Sequence, residues 1–307
     1  MNRNEVSLRR VPNEVRVPPK QSHKYKRLLW IASLSLAMTI TVLFFYLKGR
    51  NEGEVSASLS EDEEMVEIPA GSFIMGSEDG EFDEVPLHKV ELDSFYMDRY
   101  EITYLQYQRF ILYNPHWQKG NYRFDEADDN YLKDWNGTEF SGGKENHPVV
   151  HVSWYAAAAY CKWAEKSLPT ESQWEYAVRG GYEGMKYAWG NFWEPHMANW
   201  SNPLPSRERA GMRGVMPVGS YSINGFGLND MAGNVWEWTA DGYGLYMEEE
   251  EKNPKPLLNN HQKVIRGGSW KSDMNNLRVS IRRTERPNAC REDIGFRCVK
   301  RAMSNEQ

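Results

Sequence analysis

The sequence predicts a compact, irregular α+β domain with little regular secondary structure, preceded by one transmembrane helix. Three observations support this prediction. A run of twenty uncharged residues lies near the N-terminus, three short helical patterns each begin at a capping residue, and residues 182–235 are rich in Gly, Asn, Pro, Trp and Tyr. Aromatic residues make up 13% of the 307, which supplies large rings for packing where long helices are absent.

The uncharged run, "LLWIASLSLAMTITVLFFYL" at residues 28–47, has the length that a helix needs to cross a bilayer core of about 30 Å. A core helix would show a polar face and a cleavable signal peptide would have a shorter apolar stretch, so we favour an uncleaved anchor. Eight Lys and Arg residues precede the run, which places the N-terminus in the cytoplasm and the rest of the chain outside it.

Four segments follow from this pattern. We predict a basic cytoplasmic tail at 1–27, a transmembrane signal anchor at 28–47, an acidic flexible stalk at 48–64 and an exported domain at 65–303. The expected location is the inner (plasma) membrane, single-pass, with the domain in the periplasm or another extracytoplasmic space. The chain after the tail is acidic, which argues against nucleic acid as a partner.

The exported domain begins with strand patterns and continues with helices. Residues 65–77 alternate around a Pro-Ala-Gly break, which predicts a hairpin, and further strand follows over 88–103. The capping residues Thr103, Ser153 and Thr170 predict three helices, the last ending at the glycine pair 180–181. Short strands return in "KVIRGGSW" and "IGFRCVKR".

Seven phrases in this domain resemble one family in order and spacing. They are "EMVEIPAGSFIMGS", "YEIT", "HPVVHVSWYAAAAYCKWAEKSLPTESQWEYAVRGG", "YAWGN", "GFGLNDMAGNVWEWTAD", "VIRGGSW" and "IGFRCV". Together they resemble the formylglycine-generating enzyme, or sulfatase-modifying factor, family over residues 65–301. The resemblance implies a C-type-lectin-related fold supported by calcium and disulfides. It also implies an ancestral activity in which two cysteines, copper and oxygen convert a sulfatase cysteine to formylglycine.

The two catalytic cysteines of that family follow the RGGS turn, and here both are missing. The stretch after the turn is about three residues shorter and carries Lys271, Ser272, Asp273, Met274, Asn275 and Asn276. Amide, hydroxyl and ammonium groups do not bind Cu(I) as thiolates do, so copper is not expected as a cofactor.

The remaining cysteines are interpreted as structural. The resemblance implies a disulfide between Cys161 and Cys298, while Val178 and Val279 stand where the family carries a second one. Cys290 is left single and is interpreted as a loop thiol, with a redox or intermolecular role as the alternative.

Residues His147 and His151 are four apart, but Pro148 favours an extended segment, so packing is preferred over metal ligation. The histidine-bearing helical domain of the iron-dependent relatives has no counterpart here, which leaves a non-heme iron site unsupported.

One calcium site is implied by the phrase "NDMAGNVWEW". By resemblance, Asp230 and Glu237 supply carboxylates, and Gly233 and Val235 supply backbone carbonyls, which suits a structural Ca²⁺ ion. The alternative is a tight turn in which the two carboxylates cap backbone groups.

The family's other calcium site is degenerate in this chain. Asn199 and Trp200 match it, but Ala210 stands where the family carries an acidic residue.

A candidate binding groove is predicted from aromatic and cationic residues near the RGGS turn: Trp236, Ser269, Trp270, Arg282, Arg283 and Arg286. The alternative interpretation places the Trp residues in the core and the Arg residues at the rim.

Two functions from different classes remain open. The first is a membrane-tethered, non-catalytic binding or accessory module for a peptide, a glycan or an envelope protein. The second is an oxidative tailoring or maturation enzyme of altered mechanism, because some relatives without the cysteines are required for maturation of the siderophore pyoverdine. Formylglycine generation itself is the least favoured.

Overall fold

The computed structural model describes residues 64–201, 214–258 and 261–302. The predicted tail and anchor, and all of the predicted stalk except its last residue, lie outside the described residues. Among the residues that the structure does describe, no helix has the length and apolar character to span a membrane.

Three short helices form where the capping signals predict them. Helix α1 is Tyr104–Tyr113, α2 is Trp154–Trp163 and α3 is Glu171–Arg179. Each capping hydroxyl accepts a hydrogen bond from the third helical N–H, and α3 ends at Gly180 in the left-handed conformation.

Within the described residues, ten strands form three small sheets. The strands are β1 (Met65–Ile68), β2 (Gly71–Met75), β3 (His88–Leu92), β4 (Phe95–Asp98), β5 (Trp236–Gly242), β6 (Glu251–Lys252), β7 (Lys263–Arg266), β8 (Arg283–Glu285), β9 (Ile294–Gly295) and β10 (Val299–Arg301). Their orders are β1-β4-β10, β2-β3-β6 and β8-β7-β5-β9. The domain is therefore α+β with short elements and long connections.

The predicted hairpin over residues 65–77 is wrong. Strand β1 pairs antiparallel with β4, whereas β2 pairs antiparallel with β3, so the two halves of the pattern belong to different sheets. The Pro69-Ala70 step lies between them and ends β1 before a ladder with β2 can begin.

Two large apolar clusters form the core. One surrounds α1 and α2, and the other packs α3 against strands β1 to β4. Cys161 on α2 is bonded to Cys298 next to β10, which agrees with the implied disulfide. Val178 and Val279, at the positions of the missing second disulfide, are both buried in the second cluster.

A buried ionic network fixes the sheet β8-β7-β5-β9 to the start of α3. Arg266 is fully buried and donates to Glu171 at 3.0 Å and to Glu175. Arg282 donates to both carboxylate oxygens of Glu171, at 2.7 and 2.8 Å. Removing one partner of such a network leaves an uncompensated buried charge, which costs about 3–5 kcal/mol.

Candidate functional site

A polar recess of about 320 Å³ opens at the edge of the sheet β8-β7-β5-β9, and we call it the groove. It is lined by Trp236, Ile265, Ser269, Lys271, Ser272, Asp273, Asn276, Arg283, Thr284, Arg291 and Asp293. Four of these residues belong to the stretch that replaces the family's thiols, so the shortened loop forms one wall of the groove.

The glycine turn after β7 shapes that wall. Gly268 has a φ of +80°, and a Cβ there would lie 2.5 Å from the carbonyl oxygen of Asn276. Beyond it, the Ser269 N–H donates to Ser272 Oγ, and the Ser272 N–H donates to the Ser269 carbonyl, each at 2.9 Å. A 3-10 turn at Met274–Leu277 follows. The loop is thus closed by its own hydrogen bonds.

A hydroxyl and a carboxylate meet at the base of the groove. The Ser269 hydroxyl donates to Asp293 Oδ2 at 3.0 Å, and both side chains are buried. Arg291 donates through Nε to Asp293 Oδ1 at 3.1 Å, which compensates the buried charge. These hydrogen bonds hold the Ser269 hydroxyl and the Asp293 carboxylate in fixed positions at the bottom of the groove.

Each cation of the groove is paired with an acidic residue. Lys271 binds Glu292, and Arg283 binds Glu81 with Nη2 to Oε1 at 2.6 Å. Arg291 is paired with Asp293 and also contacts a second acidic residue. The wall therefore presents hydrogen-bonding groups with nearly balanced charge, which suits a polar ligand better than a polyanion.

The structure brings together half of the predicted groove residues. Trp236, Ser269 and Arg283 line one recess, and Trp270 lies beside it with the Lys271 ammonium 5.0 Å from its ring centre.

Two predicted residues lie elsewhere. Arg282 is buried on the α3 side, because consecutive residues at the start of β8 face opposite ways, and Arg286 is exposed beyond the end of β8. The prediction that all six residues share one groove is therefore wrong for these two.

None of the chain's three cysteines lines the groove. Cys161 and Cys298 form the disulfide, and Cys290 is buried near α1. Burial raises the pKa of the Cys290 thiol well above its ordinary value, which disfavours the reactive thiolate. The groove thus has no sulfur ligand for copper.

A second buried cluster, separate from the groove, contains the four residues predicted to bind calcium: Asp230, Gly233, Val235 and Glu237. We call it the Asp230 cluster. Asp230 accepts hydrogen bonds from the N–H groups of Gly219 and Tyr221. Glu101 lies in the same cluster, and none of the described residues donates to its buried Oε2 atom. Burial, and then the charge of Asp230, raise the pKa of Glu101, and burial raises the pKa of Asp230 to about 6.

The negative charge of this cluster would attract a cation, but the carboxylate of Glu237, one of the four predicted ligands, is already occupied. Both oxygens of Glu237 already accept two hydrogen bonds, from Arg297 Nε and Nη2 and from Trp174 Nε1. Within residues 64–201, 214–258 and 261–302, no three His, Cys, Asp or Glu side chains are arranged to hold a metal ion. The calcium site at Asp230, Gly233, Val235 and Glu237 stays a prediction.

The residues of the degenerate second site make local contacts. The Asn199 amide donates to the carbonyl of Gly214 at 2.9 Å and to Asn234 Oδ1 at 3.2 Å. Trp200 packs edge-on against Trp193, with ring centres 4.8 Å apart. Ala210 lies outside the described residues.

The two histidines that were considered as metal ligands lie in the interior: His147 is partly buried and His151 is buried. His151 has a φ of +59°, and its Nδ1 lies 3.4 Å from the carbonyl oxygen of Cys290. Burial lowers the pKa of both imidazoles. These environments agree with packing.

Comparison with known proteins identifies the family. Residues 52–302 match the model of the sulfatase-modifying factor enzyme 1-like domain. The chain is 33% identical over 285 residues to the formylglycine-generating enzyme of Mus musculus, covering 76% of this chain and 74% of the relative. This chain therefore belongs to the formylglycine-generating enzyme family.

Two further proteins resemble this chain over most of its length. An "inactive C-alpha-formylglycine-generating enzyme 2" of Bos taurus is 31% identical over 277 residues, covering 78% of this chain and 88% of that protein. The solved structure of PvdO from Pseudomonas aeruginosa superposes with a TM-score of 0.59 at 26% identity, covering 78% of this chain and 95% of PvdO.

Sequence reasoning missed part of both sites. The groove residues Arg291 and Asp293 lie more than twenty residues after the RGGS turn, and only the pairing of β5 with β9 brings them to it. Glu101 joins the carboxylate cluster from the segment before α1. Nothing in the sequence distinguished it from the other charged residues of the stretch 88–103.

Proposed function

We propose that this chain is a non-catalytic binding module, carried on the membrane anchor predicted at residues 28–47, whose groove holds a polar segment of an envelope protein. The observation that carries the proposal is a formed, hydrogen-bonded groove whose walls contain no thiol. Support also comes from the bovine relative, which is named as inactive.

The chemistry of the groove favours a polypeptide segment. Ser272, Asn276 and Thr284 offer hydroxyl and amide groups at the wall, whereas Trp236 is mostly buried behind it. A peptide backbone supplies N–H and C=O groups for such partners. The balanced charge places no requirement on the net charge of the segment. A glycan is the other ligand class that these groups could hold.

A photo-crosslinking experiment tests the proposal. A benzophenone amino acid replaces Lys271 in the groove, and a matched variant carries it at Arg286, which is exposed on the same C-terminal segment but outside the groove. We expect an adduct in native membranes from position 271 only, in which mass spectrometry after proteolysis finds a peptide of a second protein linked to residue 271. Equal adducts from both positions, or none from a folded protein, would contradict the binding function. A carbohydrate linked to residue 271 would assign a glycan.

The second candidate is a tailoring enzyme of altered mechanism, and the likeness to PvdO supports it. The Ser269–Asp293 pair is the only buried hydroxyl–carboxylate contact lining the groove within the described residues. Oxygen uptake with candidate peptides by the full chain, lost in Ser269→Ala, would favour this candidate over the binding module.

We also propose one structural calcium ion at the Asp230 cluster. The surplus of buried carboxylates over Arg297 supports a cation there, whereas the hydrogen bonds of Glu237 oppose a role for that residue as a ligand. Calorimetry on the metal-stripped protein should show one calcium ion bound, and Asp230→Asn should lose it. Absence of calcium binding to the folded wild type would refute the site.

A further inference from the structure

A second recess of about 180 Å³ lies on the α3 side of the sheet β8-β7-β5-β9 and shares no lining residue with the groove. Arg282 lines the recess, and its neighbour Arg283 lines the groove. A pocket for a drug-sized ligand is larger, at about 300–1,000 Å³, whereas a cavity of about 150 Å³ holds benzene. The recess therefore has the size for one long side chain.

Exposed apolar side chains surround the mouth of this recess. Leu245 and Met247 are each 63% exposed and Leu257 is 51% exposed, although all three line the recess. Tyr246, between the first two, turns inward, where its ring lies 4.0 Å below the Arg282 guanidinium carbon. Contiguous exposed apolar side chains of this kind mark interaction sites.

The floor of the recess carries a carboxylate without an ion pair among the described residues. Asp241 accepts the Glu171 N–H at 2.6 Å through Oδ2 and the Leu257 N–H at 3.3 Å through Oδ1. The buried Lys263 ammonium attracts Asp241 without forming an ion pair with it, and donates to the Ala240 carbonyl at 3.2 Å.

The neighbouring carboxylate on the floor, that of Glu171, differs because two arginines already balance its charge. Glu171 accepts from two buried guanidinium groups, those of Arg266 and Arg282. A cationic group of a ligand would therefore form an ion pair with Asp241 without breaking an ion pair within this chain.

We infer that this recess binds a lysine or arginine side chain of a partner polypeptide, with the cationic group on Asp241 and flanking apolar residues on Leu245, Met247 and Leu257. The aliphatic stem of such a side chain packs along the apolar wall while its head reaches the carboxylate. The recess is separate from the groove, so this inference does not rest on the proposed function.

Two short peptides serve as probes: acetyl-Leu-Lys-Leu-amide and its uncharged match with norleucine at the centre. Calorimetry uses the full chain in lipid nanodiscs, with empty nanodiscs as the blank. At pH 7.5 we expect the lysine peptide to bind at least about tenfold more tightly, because only its ammonium group forms a charge-assisted hydrogen bond with Asp241. Asp241→Asn, which keeps an oxygen for the Glu171 N–H, should bring the two affinities together.

The pH dependence gives a second readout. Burial raises the pKa of Asp241 to about 6, so the preference for lysine should shrink at pH 5, where this carboxyl is protonated. Six other titratable groups face the recess, and Lys263 lies on the adjacent strand; the six are His88, Glu171, Tyr246, Glu251, Lys255 and Arg282. Asp241→Asn should remove the change with pH, which separates the role of Asp241 from those of the other groups.

Two further variants keep the test decisive. Met247→Lys places a cation at the exposed rim and should abolish the preference for lysine without touching the core, whereas Lys271→Ala in the groove should leave it unchanged. Equal affinities of the two peptides for the wild type, or no binding of either, would overturn the inference. A preference that survives in folded Asp241→Asn, or is lost in Lys271→Ala, would also overturn it.

Discussion

At the scale of single residues, the buried charges divide into compensated and uncompensated groups. Glu237 forms an ion pair with Arg297, and Glu171 forms ion pairs with two arginines. Glu101 and Asp230 share one cluster, where burial raises the pKa of both carboxyls and the charge of Asp230 raises the pKa of Glu101 further. A carboxyl whose pKa is raised in the folded state binds protons more tightly there than in the unfolded chain.

We therefore expect stability at this cluster to fall as the pH rises. Below about pH 4 both states are protonated, and above it the unfolded chain loses its protons first, up to the raised pKa values of the folded cluster, of which that of Asp230 is about 6. Glu101→Gln removes the charge and keeps an acceptor for Asn234. In the presence of a calcium chelator, this variant should have a free energy of unfolding about 1–3 kcal/mol higher than that of the wild type at pH 8. At pH 4 the two proteins should differ little.

Urea unfolding at the two pH values measures this difference. Glu67→Gln on β1, whose side chain is exposed, is the control and should change little at either pH. A loss of stability in Glu101→Gln at pH 8 would show that the carboxylate is stabilising when ionised.

At the scale of secondary-structure elements, the sequence predicted local features better than pairings. Capping residues located the starts of all three helices because a cap is a local hydrogen bond. Strand partners were not predictable in the same way, since the alternation of residues 65–77 identifies strands but not the sheet that receives them.

The groove shows the same limit. Its glycine turn and the loss of both thiols were visible in the sequence, whereas the opposite facing of Arg282 and Arg283 depended on the register of β8. Trp236 is buried in the core and also lines the groove. For this residue, the predicted role in the groove and the alternative role in the core are therefore compatible.

The turn at Gly268 provides a prediction for the loop that follows it. Gly268→Ala should lower the free energy of unfolding by about 2–4 kcal/mol, because the new Cβ meets both a strained φ and the Asn276 carbonyl. Gly143→Ala is the matched control: its φ is +86° and no atom lies within 4 Å of the added Cβ. It should cost about 1 kcal/mol, which is the strain alone. Equal losses in the two variants, measured by thermal unfolding, would contradict the tight loop.

At the scale of the whole molecule, a disulfide between distant residues joins α2 to the C-terminal strand. Cys161 and Cys298 are separated by 137 residues, so their bond restricts a large part of the unfolded chain. The chain-entropy model gives such a loop a stabilisation of about 5 kcal/mol. This contribution suits an exported domain, because disulfides persist in oxidising compartments.

Replacing both half-cystines by alanine should therefore cost about 2–5 kcal/mol in urea unfolding. Cys290→Ala is the control: it removes a buried thiol but no cross-link, and should cost about 1 kcal/mol. A double variant no less stable than the Cys290 variant would show that the covalent link contributes little.

The most direct test of the central claim, that this member of the family keeps the groove without the thiol chemistry, is a mass-spectrometric assay. The full chain, supplied with Cu(I) and oxygen, is incubated with a sulfatase-derived peptide bearing the target cysteine, and a cysteine-containing formylglycine-generating enzyme serves as the positive control. We predict that the peptide thiol stays unchanged in the presence of this chain. Its conversion to an aldehyde would contradict the claim.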